Sequence, residues 1–145
     1  MKGKGTTGNG KNGKKKGLGG CRLSLYSMRN YQKLDVWQNA YALTKLVFQI
    51  SDSFPKNEEY GLKSHIRKTA VSVPSNIAEG YMRQYRNEYV QSLSIALGST
   101  SELQTQLLLA KDVGFINQSN HIEAEELCNK VTAMLINLIK ALKLK

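Results

Sequence analysis

Two histidines, two cysteines and a basic stretch in the middle of the chain are the residues that could carry chemistry. Neither His65 nor His121 belongs to an HExxH, CxxC, GxxxxGK[ST] or GxSxG pattern. These patterns mark metal, phosphate-loop and hydrolase sites. Cys21 and Cys128 lie far apart, which excludes a disulfide framework and a CxxC zinc site and is typical of a reducing compartment. We therefore expect no metal, no cofactor and a cytoplasmic protein.

A hydrolase built on Glu79, His65 and neighbouring arginines is one hypothesis. Catalysis needs a nucleophile beside a base, or paired titratable groups in a pocket, and the sequence shows no such pair at a recognisable spacing. Glu79 also has a simpler interpretation, an ion pair with Arg67 or Arg83. The sequence therefore predicts a protein without enzymatic activity.

The basic stretch 56–86 is the stronger chemical signal. It carries six Lys or Arg against three Glu. Lys63 and Arg67 stand four residues apart, so one helix face presents adjacent cations, and Tyr60, Tyr81 and Tyr85 flank the charges. Aromatic rings between cations can stack on bases. The predicted nucleic-acid-binding residues are Lys63, Arg67, Lys68, Arg83 and Arg86. A merely solvated helix face is the alternative that the sequence leaves open.

The charge is concentrated at the N-terminus. The 145 residues contain 21 Lys+Arg and 11 Asp+Glu, for a net charge of +10. Residues 1–33 hold nine of the basic residues and no acid, so the remaining chain is nearly neutral. Residues 1–29, rich in Gly and Lys, are predicted to be a disordered basic tail. Two interpretations stay open: an arm that binds phosphate, or residues that precede a true start at Met28.

From Leu34 onward the apolar residues follow a helical period, without the alternation of a strand. They predict four helices, at about 33–53, 58–81, 87–112 and 118–143, in one domain over 30–145. Helices of this length joined by short links favour an antiparallel up-down four-helix bundle. No window approaches 18 uninterrupted apolar residues, so we expect no membrane partner.

Two features of the first two helices leave alternatives. On the first helix, Trp37 and Tyr41 lie four apart in an apolar stripe, where they could stack bases, fill the core or form a subunit interface. In the second, Pro74 lacks the N–H that would bond the Ala70 carbonyl. The helix must kink there, or break and restart with Ser72 or a neighbouring serine as cap. We favour the kink, because the apolar period continues in phase.

Two glycines of the later chain are also informative. Gly98 lies inside the third helix, where glycine costs about 1 kcal/mol relative to alanine. Close approach of another helix would offset that cost, either inside the bundle or between subunits. Gly114 follows the third helix as the expected left-handed stop, with Phe115 beyond it to contact the last turn.

Several strings resemble bacterial four-helix-bundle proteins that are encoded in intervening sequences of 23S ribosomal RNA genes. They span roughly 30–142 and lie at 34–40, 54–56, 60–62, 66–80, 95–99 and 102–107. The most distinctive is Val-Pro-Ser-Asn-Ile-Ala-Glu-Gly at 73–80. It contains the family motif residues Pro74, Asn76, Glu79 and Gly80, whose role is unknown.

The resemblance implies a homopentameric ring without established enzymatic activity. Related proteins include the accessory variability determinant of diversity-generating retroelements, a basic pentamer that looks to bind nucleic acid and a reverse transcriptase. The implied function is a non-enzymatic accessory or scaffold protein that binds RNA or DNA through a basic face. The alternative is a protein–protein adaptor ring, for example a reverse-transcriptase accessory subunit, with no specific role on nucleic acid.

Overall fold

Helices build the part of the chain that the structure describes, residues 30–145 of a computed structural model. The tail predicted at 1–29 lies outside the described residues. No strand occurs within 30–145, so the prediction of an all-α fold with four helices is confirmed. The four helices are α1 (Asp35–Ser51), α2 (Leu62–Tyr81), α3 (Arg86–Asp112) and α4 (Gln118–Lys143), and short 3-10 helices cover Tyr31–Lys33 and Lys56–Glu58.

The core lies where the four helices meet. Both α1 and α3 pack against α2 and α4, so each helix buries one apolar stripe between two neighbours. In residues 30–145, no helix combines the length and the apolar content that crossing a bilayer requires. The largest fully buried side chains include Leu43, Val47, Ile66, Val73, Ile77, Leu93, Leu103, Leu107, Val131 and Leu135.

The apolar stripe of α1 is wider than the surface that its neighbours cover. Its buried centre consists of Val36, Ala40, Leu43, Val47 and Ile50. The aromatic residues of the stripe lie along its edge, and two of them are exposed: Tyr41 and Phe48. The aromatic side chains at the edge of the α1 stripe are therefore not fully buried in the core.

The start of α2 differs from the spacing-based prediction. The sequence predicts a helix from about residue 58, whereas α2 begins at Leu62. Glu58 belongs instead to the preceding 3-10 helix, and its carboxylate accepts the backbone N–H of Leu62 at 2.9 Å. A negative side chain at this position satisfies an unpaired donor and complements the positive end of the helix dipole.

The link between α3 and α4 is closed by backbone hydrogen bonds. Gly114 has φ of 87°, which confirms the predicted left-handed stop. The N–H of Phe115 returns to the Ala110 carbonyl at 2.8 Å. Asn117 then caps α4, since its side-chain oxygen accepts the N–H of Asn120 at 2.7 Å.

Candidate functional site

The five predicted nucleic-acid-binding cations divide into two groups. Lys68 and Arg86 are exposed, and within residues 30–145 neither has an acidic partner. Lys63, Arg67 and Arg83 each form an ion pair with a carboxylate. An anion can therefore reach the first group directly, whereas each residue of the second group must first release its carboxylate partner.

Arg67 is the most constrained of the five. Its Nε donates to Ser51 Oγ at 2.7 Å, and its Nη2 donates to the Phe48 carbonyl at 3.1 Å and to Asp52 Oδ1 at 2.8 Å. Its guanidinium carbon also lies 4.6 Å from the centroid of the Phe48 ring. The Phe48 carbonyl is one of the last four of α1, which lack a helical partner. Arg67 thus ties α2 to the end of α1.

The pairs of Lys63 and Arg83 are easier to open. Lys63 Nζ lies 3.1 Å from a Glu59 carboxylate oxygen. Arg83 lies 3.0 Å from Glu79 and 3.9 Å from Glu88, in pairs that are about half exposed. Exposed pairs such as those of Arg83 contribute about 0–1 kcal/mol, so a phosphate can compete for this cation. The Lys63 side chain is only 14% exposed, which limits its access to a phosphate.

The three tyrosines that flank the basic stretch have different surroundings. Tyr60 and Tyr85 are exposed, and Tyr85 directly precedes Arg86. Tyr81 packs edge to face against Tyr89, with ring centroids 5.7 Å apart. Burial, with a smaller effect of Tyr81, raises the pKa of Tyr89 to about 12. Only Tyr60 and Tyr85 of the predicted set can therefore offer a ring to a ligand without repacking.

The groups invoked for a hydrolase lie apart. His65 and Glu79 both belong to α2 and are 14 residues apart, which at 1.5 Å per residue is roughly 21 Å along the helix. His121 is buried at the start of α4, with Nε2 3.6 Å from a Glu125 oxygen. No cluster of three His, Cys, Asp or Glu that could hold a metal occurs in residues 30–145.

Pro74, from the family motif, lies inside an uninterrupted α2, so the alternative of a broken helix is wrong. The Ala70 carbonyl, which Pro74 leaves without its helical donor, lies 3.0 Å from the Thr44 hydroxyl of α1. The same hydroxyl is 2.9 Å from the Ala40 carbonyl of its own helix. Helical periodicity alone gives Thr44 no role beyond its place in the stripe of α1. The signal was present, however, as a threonine in an apolar stripe and a proline in the next helix.

The other motif residues also act within the bundle. Asn76 donates its side-chain N–H to the Ser72 carbonyl at 2.7 Å, and Glu79 pairs with Arg83. Gly80 is buried where α2 meets α3: a Cβ built on it would lie 2.5 Å from the Cβ of Ser92. Real Cβ atoms essentially never approach so closely, so glycine permits this helix contact. These contacts give the motif an architectural role.

A groove between α1 and α2 is a second surface of interest. Its volume is about 250 Å³, and no acidic or basic residue lines it. Three aromatic rings form one side. Trp37 stacks on Tyr41 at 4.9 Å between centroids and 12° between planes, and Tyr31 meets Trp37 edge to face at 5.4 Å. The remaining lining residues are Thr44, Val71, Pro74, Ser75 and Ala78.

Comparison with known proteins gives the family and the fold. No functionally curated protein matches the chain. A solved structure similar to it is the 1.70 Å crystal structure of a protein of unknown function, from the S23 ribosomal protein family of Bacteroides thetaiotaomicron. The TM-score is 0.68 at 20% identity, and the match covers 72% of this chain and 98% of the other. The family model described as 23S rRNA-intervening sequence protein matches residues 32–137, well over half of the chain. The chain belongs to the 23S rRNA-intervening sequence protein family.

Proposed function

We propose that this protein is a non-enzymatic accessory or scaffold protein that binds RNA or DNA through a basic face. The observation that supports this most directly is the exposure of Lys68 and Arg86 without acidic partners in the described chain. Lys68 lies near the start of α2 and Arg86 just beyond its end, so a polyanion that contacts both would run along this helix. Arg83 is a secondary contact, available when its surface ion pairs open, and Lys63 is a weaker one, because its side chain is only 14% exposed. Arg67 is also a weaker candidate, because its Nε and Nη2 donate within the bundle.

The proposal includes the finer architecture of an antiparallel up-down bundle. Contacts between neighbouring helices support the antiparallel order. Thr44 contacts Ala70 between α1 and α2, and Gly80 contacts Ser92 between α2 and α3. Arg67 with Ser51 and Tyr81 with Tyr89 are a second contact for each helix pair, and in both pairs residue numbers fall along one helix as they rise along the other. This order would bring the start of α3, with Arg86, to the same end as the basic C-terminus of α4.

We further propose a homopentameric ring in the cytoplasm. A ring would repeat a weak basic patch several times, so that its contacts with one polyanion add as avidity. The exposed face of α3 supports an interface between subunits, since it carries apolar Ile95 and Leu109. A Cβ placed on Gly98 of the same helix would have nothing within 4 Å, so no helix of residues 30–145 explains this glycine.

Salt-dependent binding tests the nucleic-acid proposal. Fluorescence anisotropy of labelled RNA and duplex DNA is measured against the full-length chain over a range of salt concentrations. We expect affinity to fall steeply with salt, because each neutralised phosphate releases counterions. Light scattering in the same buffers gives the mass of the assembly, expected to be that of five copies.

Matched variants separate the basic face from the N-terminal tail. The double variant Lys68→Gln, Arg86→Gln should weaken binding and flatten its salt dependence. The control Lys130→Gln removes one charge elsewhere, on α4, and should change binding less. A variant with all seven Lys and Arg of residues 1–27 changed to Gln leaves every residue of 30–145 unchanged. If this variant no longer binds while the double variant binds normally, the basic face is the wrong site.

An adaptor ring without a specific nucleic-acid role is the second candidate function. The exposed apolar side chains of α3, Ile95, Leu108 and Leu109, favour it, because apolar surface suits protein contact better than phosphate contact. A reverse transcriptase, as in diversity-generating retroelements, is one partner that this hypothesis names. A stoichiometric protein that co-purifies after nuclease treatment, together with no salt-dependent binding, would support the adaptor.

A further inference from the structure

The α1–α2 groove leaves aromatic surface open to solvent. Tyr41 is 46% exposed although it stacks on Trp37, and Val71 across the groove is 42% exposed. Exposed apolar side chains that converge on a groove commonly mark a binding site. Trp37 covers one face of the Tyr41 ring and the exposed Lys45 side chain lies over the other, so a ligand ring reaches this second face when Lys45 moves aside. The lining from α2 includes the small side chains Ser75 and Ala78.

Positive charge continues from this groove along α1. Lys45 Nζ lies 5.2 Å from the centroid of the Tyr41 ring. Lys68, which has no acidic partner in the described chain, stands one helical turn before Val71 on α2. The groove lining itself contains no Asp or Glu. A flat apolar groove with cations beside it is complementary to a ligand that has flat rings and negative charge.

We propose that this groove binds the bases of a single-stranded nucleic acid, with Lys45 and Lys68 contacting its phosphates. The inference rests on the proposed function and specifies its ligand. Bases in a duplex are stacked on one another and cannot reach a ring on the protein, whereas the unstacked bases of a single strand can. Stacking on Tyr41 and Trp37 does not depend on base identity, so the binding tolerates any sequence.

The only tryptophan of the chain reports on this groove. Trp37 is the single Trp in the sequence, so its fluorescence is a local signal for ligand stacking. The full-length protein is titrated with an oligothymidylate of about 20 nucleotides, with a duplex of the same length and with an abasic strand that carries the same phosphates. We expect the single strand to quench Trp37, and the duplex and abasic strand to bind without quenching.

Substitutions at Tyr41 test the contact directly. Tyr41→Ala should weaken single-strand binding by roughly 5- to 100-fold and leave duplex affinity unchanged, since stacking contributes about 1–3 kcal/mol per base. Tyr41→Phe keeps the ring and should bind like the wild type. Ile122→Ala, at a residue of α4 with a similar exposure of 45%, is the distant control.

A second variant tests the groove in case Tyr41→Ala does not fold. Circular dichroism shows whether Tyr41→Ala retains its helices. Val71→Glu places a carboxylate at the rim on an already exposed position, so the fold should be kept while the anion is repelled. It should reduce single-strand binding and Trp37 quenching together.

The outcomes distinguish the two proposals. Equal, salt-dependent binding of single strand and duplex without a change in Trp37 emission would overturn the groove and leave the basic face standing. No binding to any nucleic acid would overturn the proposed function as well. If Trp37 emission follows protein concentration and assembly mass but not added strand, a second copy of the chain covers the groove and the inference is wrong.

Discussion

The hydroxyl oxygen of Thr44 lies 3.0 Å from the carbonyl oxygen of Ala70, the acceptor that Pro74 leaves without its helical donor. Proline in a helix interior costs about 3 kcal/mol, part of which is a lost backbone hydrogen bond. The Thr44 hydroxyl shares its one proton between this carbonyl and that of Ala40. A donor from the neighbouring helix therefore partly replaces the lost bond and at the same time joins α1 to α2. The proline of the family motif is therefore also an attachment point.

Removing the Thr44 hydroxyl should destabilise the protein. Thr44→Val keeps the shape and leaves the buried Ala70 carbonyl without a donor, so we expect a loss of about 1–3 kcal/mol in the free energy of unfolding by urea. Thr100→Val is the matched control. Thr100 is also buried, but its hydroxyl bonds only the Ala96 carbonyl of its own helix, so the change should cost less.

A double-mutant cycle tests the mechanism. Pro74→Ala restores a backbone N–H for the Ala70 carbonyl, so Thr44→Val should cost less in that background than in the wild type. An equal cost in both backgrounds would contradict the assigned role of Thr44.

Substituting alanine for Gly80 and for Gly98 should change the unfolding free energy in opposite directions. Gly80→Ala places a Cβ against Ser92, so we expect a loss of about 1–3 kcal/mol in urea unfolding from overpacking. Gly98→Ala meets open space and should raise the unfolding free energy of the chain by about 0.5–1 kcal/mol. A fall in the assembly mass of Gly98→Ala, measured by light scattering, would place Gly98 in a subunit interface. Stabilisation by Gly80→Ala would refute the close α2–α3 contact.

Substitutions at two neighbouring cations of α2 should affect different properties, the stability of the fold in one case and nucleic-acid binding in the other. Arg67→Ala removes hydrogen bonds to the end of α1 and should lower the unfolding free energy by about 1–3 kcal/mol. Lys68→Ala should change stability by less than about 0.5 kcal/mol but weaken binding to nucleic acid. The assignment fails if folded Arg67→Ala loses more affinity than Lys68→Ala.

Alkaline pH should destabilise the fold. Burial, with a smaller effect of Glu125, raises the pKa of Cys128 from 9.0 to about 12, and burial raises that of Tyr89 from 10.0 to about 12. Between pH 9 and 12 the folded state then holds more protons than the unfolded state, so the unfolding free energy falls as pH rises and is unaffected by these groups below that window.

Urea unfolding at pH 7, 9 and 11 measures this slope. Cys128→Ala should flatten the fall above pH 9 and Tyr89→Phe above pH 10, because each removes one titrating group, buried in Cys128 and partly buried in Tyr89. Tyr60→Phe, which removes an exposed hydroxyl, is the control. A stability that stays constant up to pH 11 in the wild type would contradict the burial of both groups.

Sequence reasoning was most successful where a structure depends on neighbouring residues. The helical period after Leu34 predicted four helices, and Gly114 predicted how α3 ends. Both depend on contacts within a few residues along the chain. The start of α2 was placed too early, because the acidic cap Glu58 lies in a 3-10 turn that has no apolar period.

The candidate site depended on contacts that the chain order does not reveal. Periodicity placed Lys63, Arg67 and Lys68 on one helix, but it could not show that Arg67 turns towards Asp52 while Lys68 stays unpaired. Nor could it separate the buried and the exposed edges of the α1 stripe. Which edge is covered depends on the direction from which α2 and α4 approach.

By itself, then, the sequence determined an all-α chain, the concentration of charge before residue 34 and the family motif at 73–80. Only the tertiary structure decided that the Thr44 hydroxyl donates a hydrogen bond to the Ala70 carbonyl and that Trp37 and Tyr41 border an open groove. Helix formation follows from local spacing. Pairing between residues of different helices follows from how the helices rotate and approach to bury their apolar stripes, which is a property of the packed bundle.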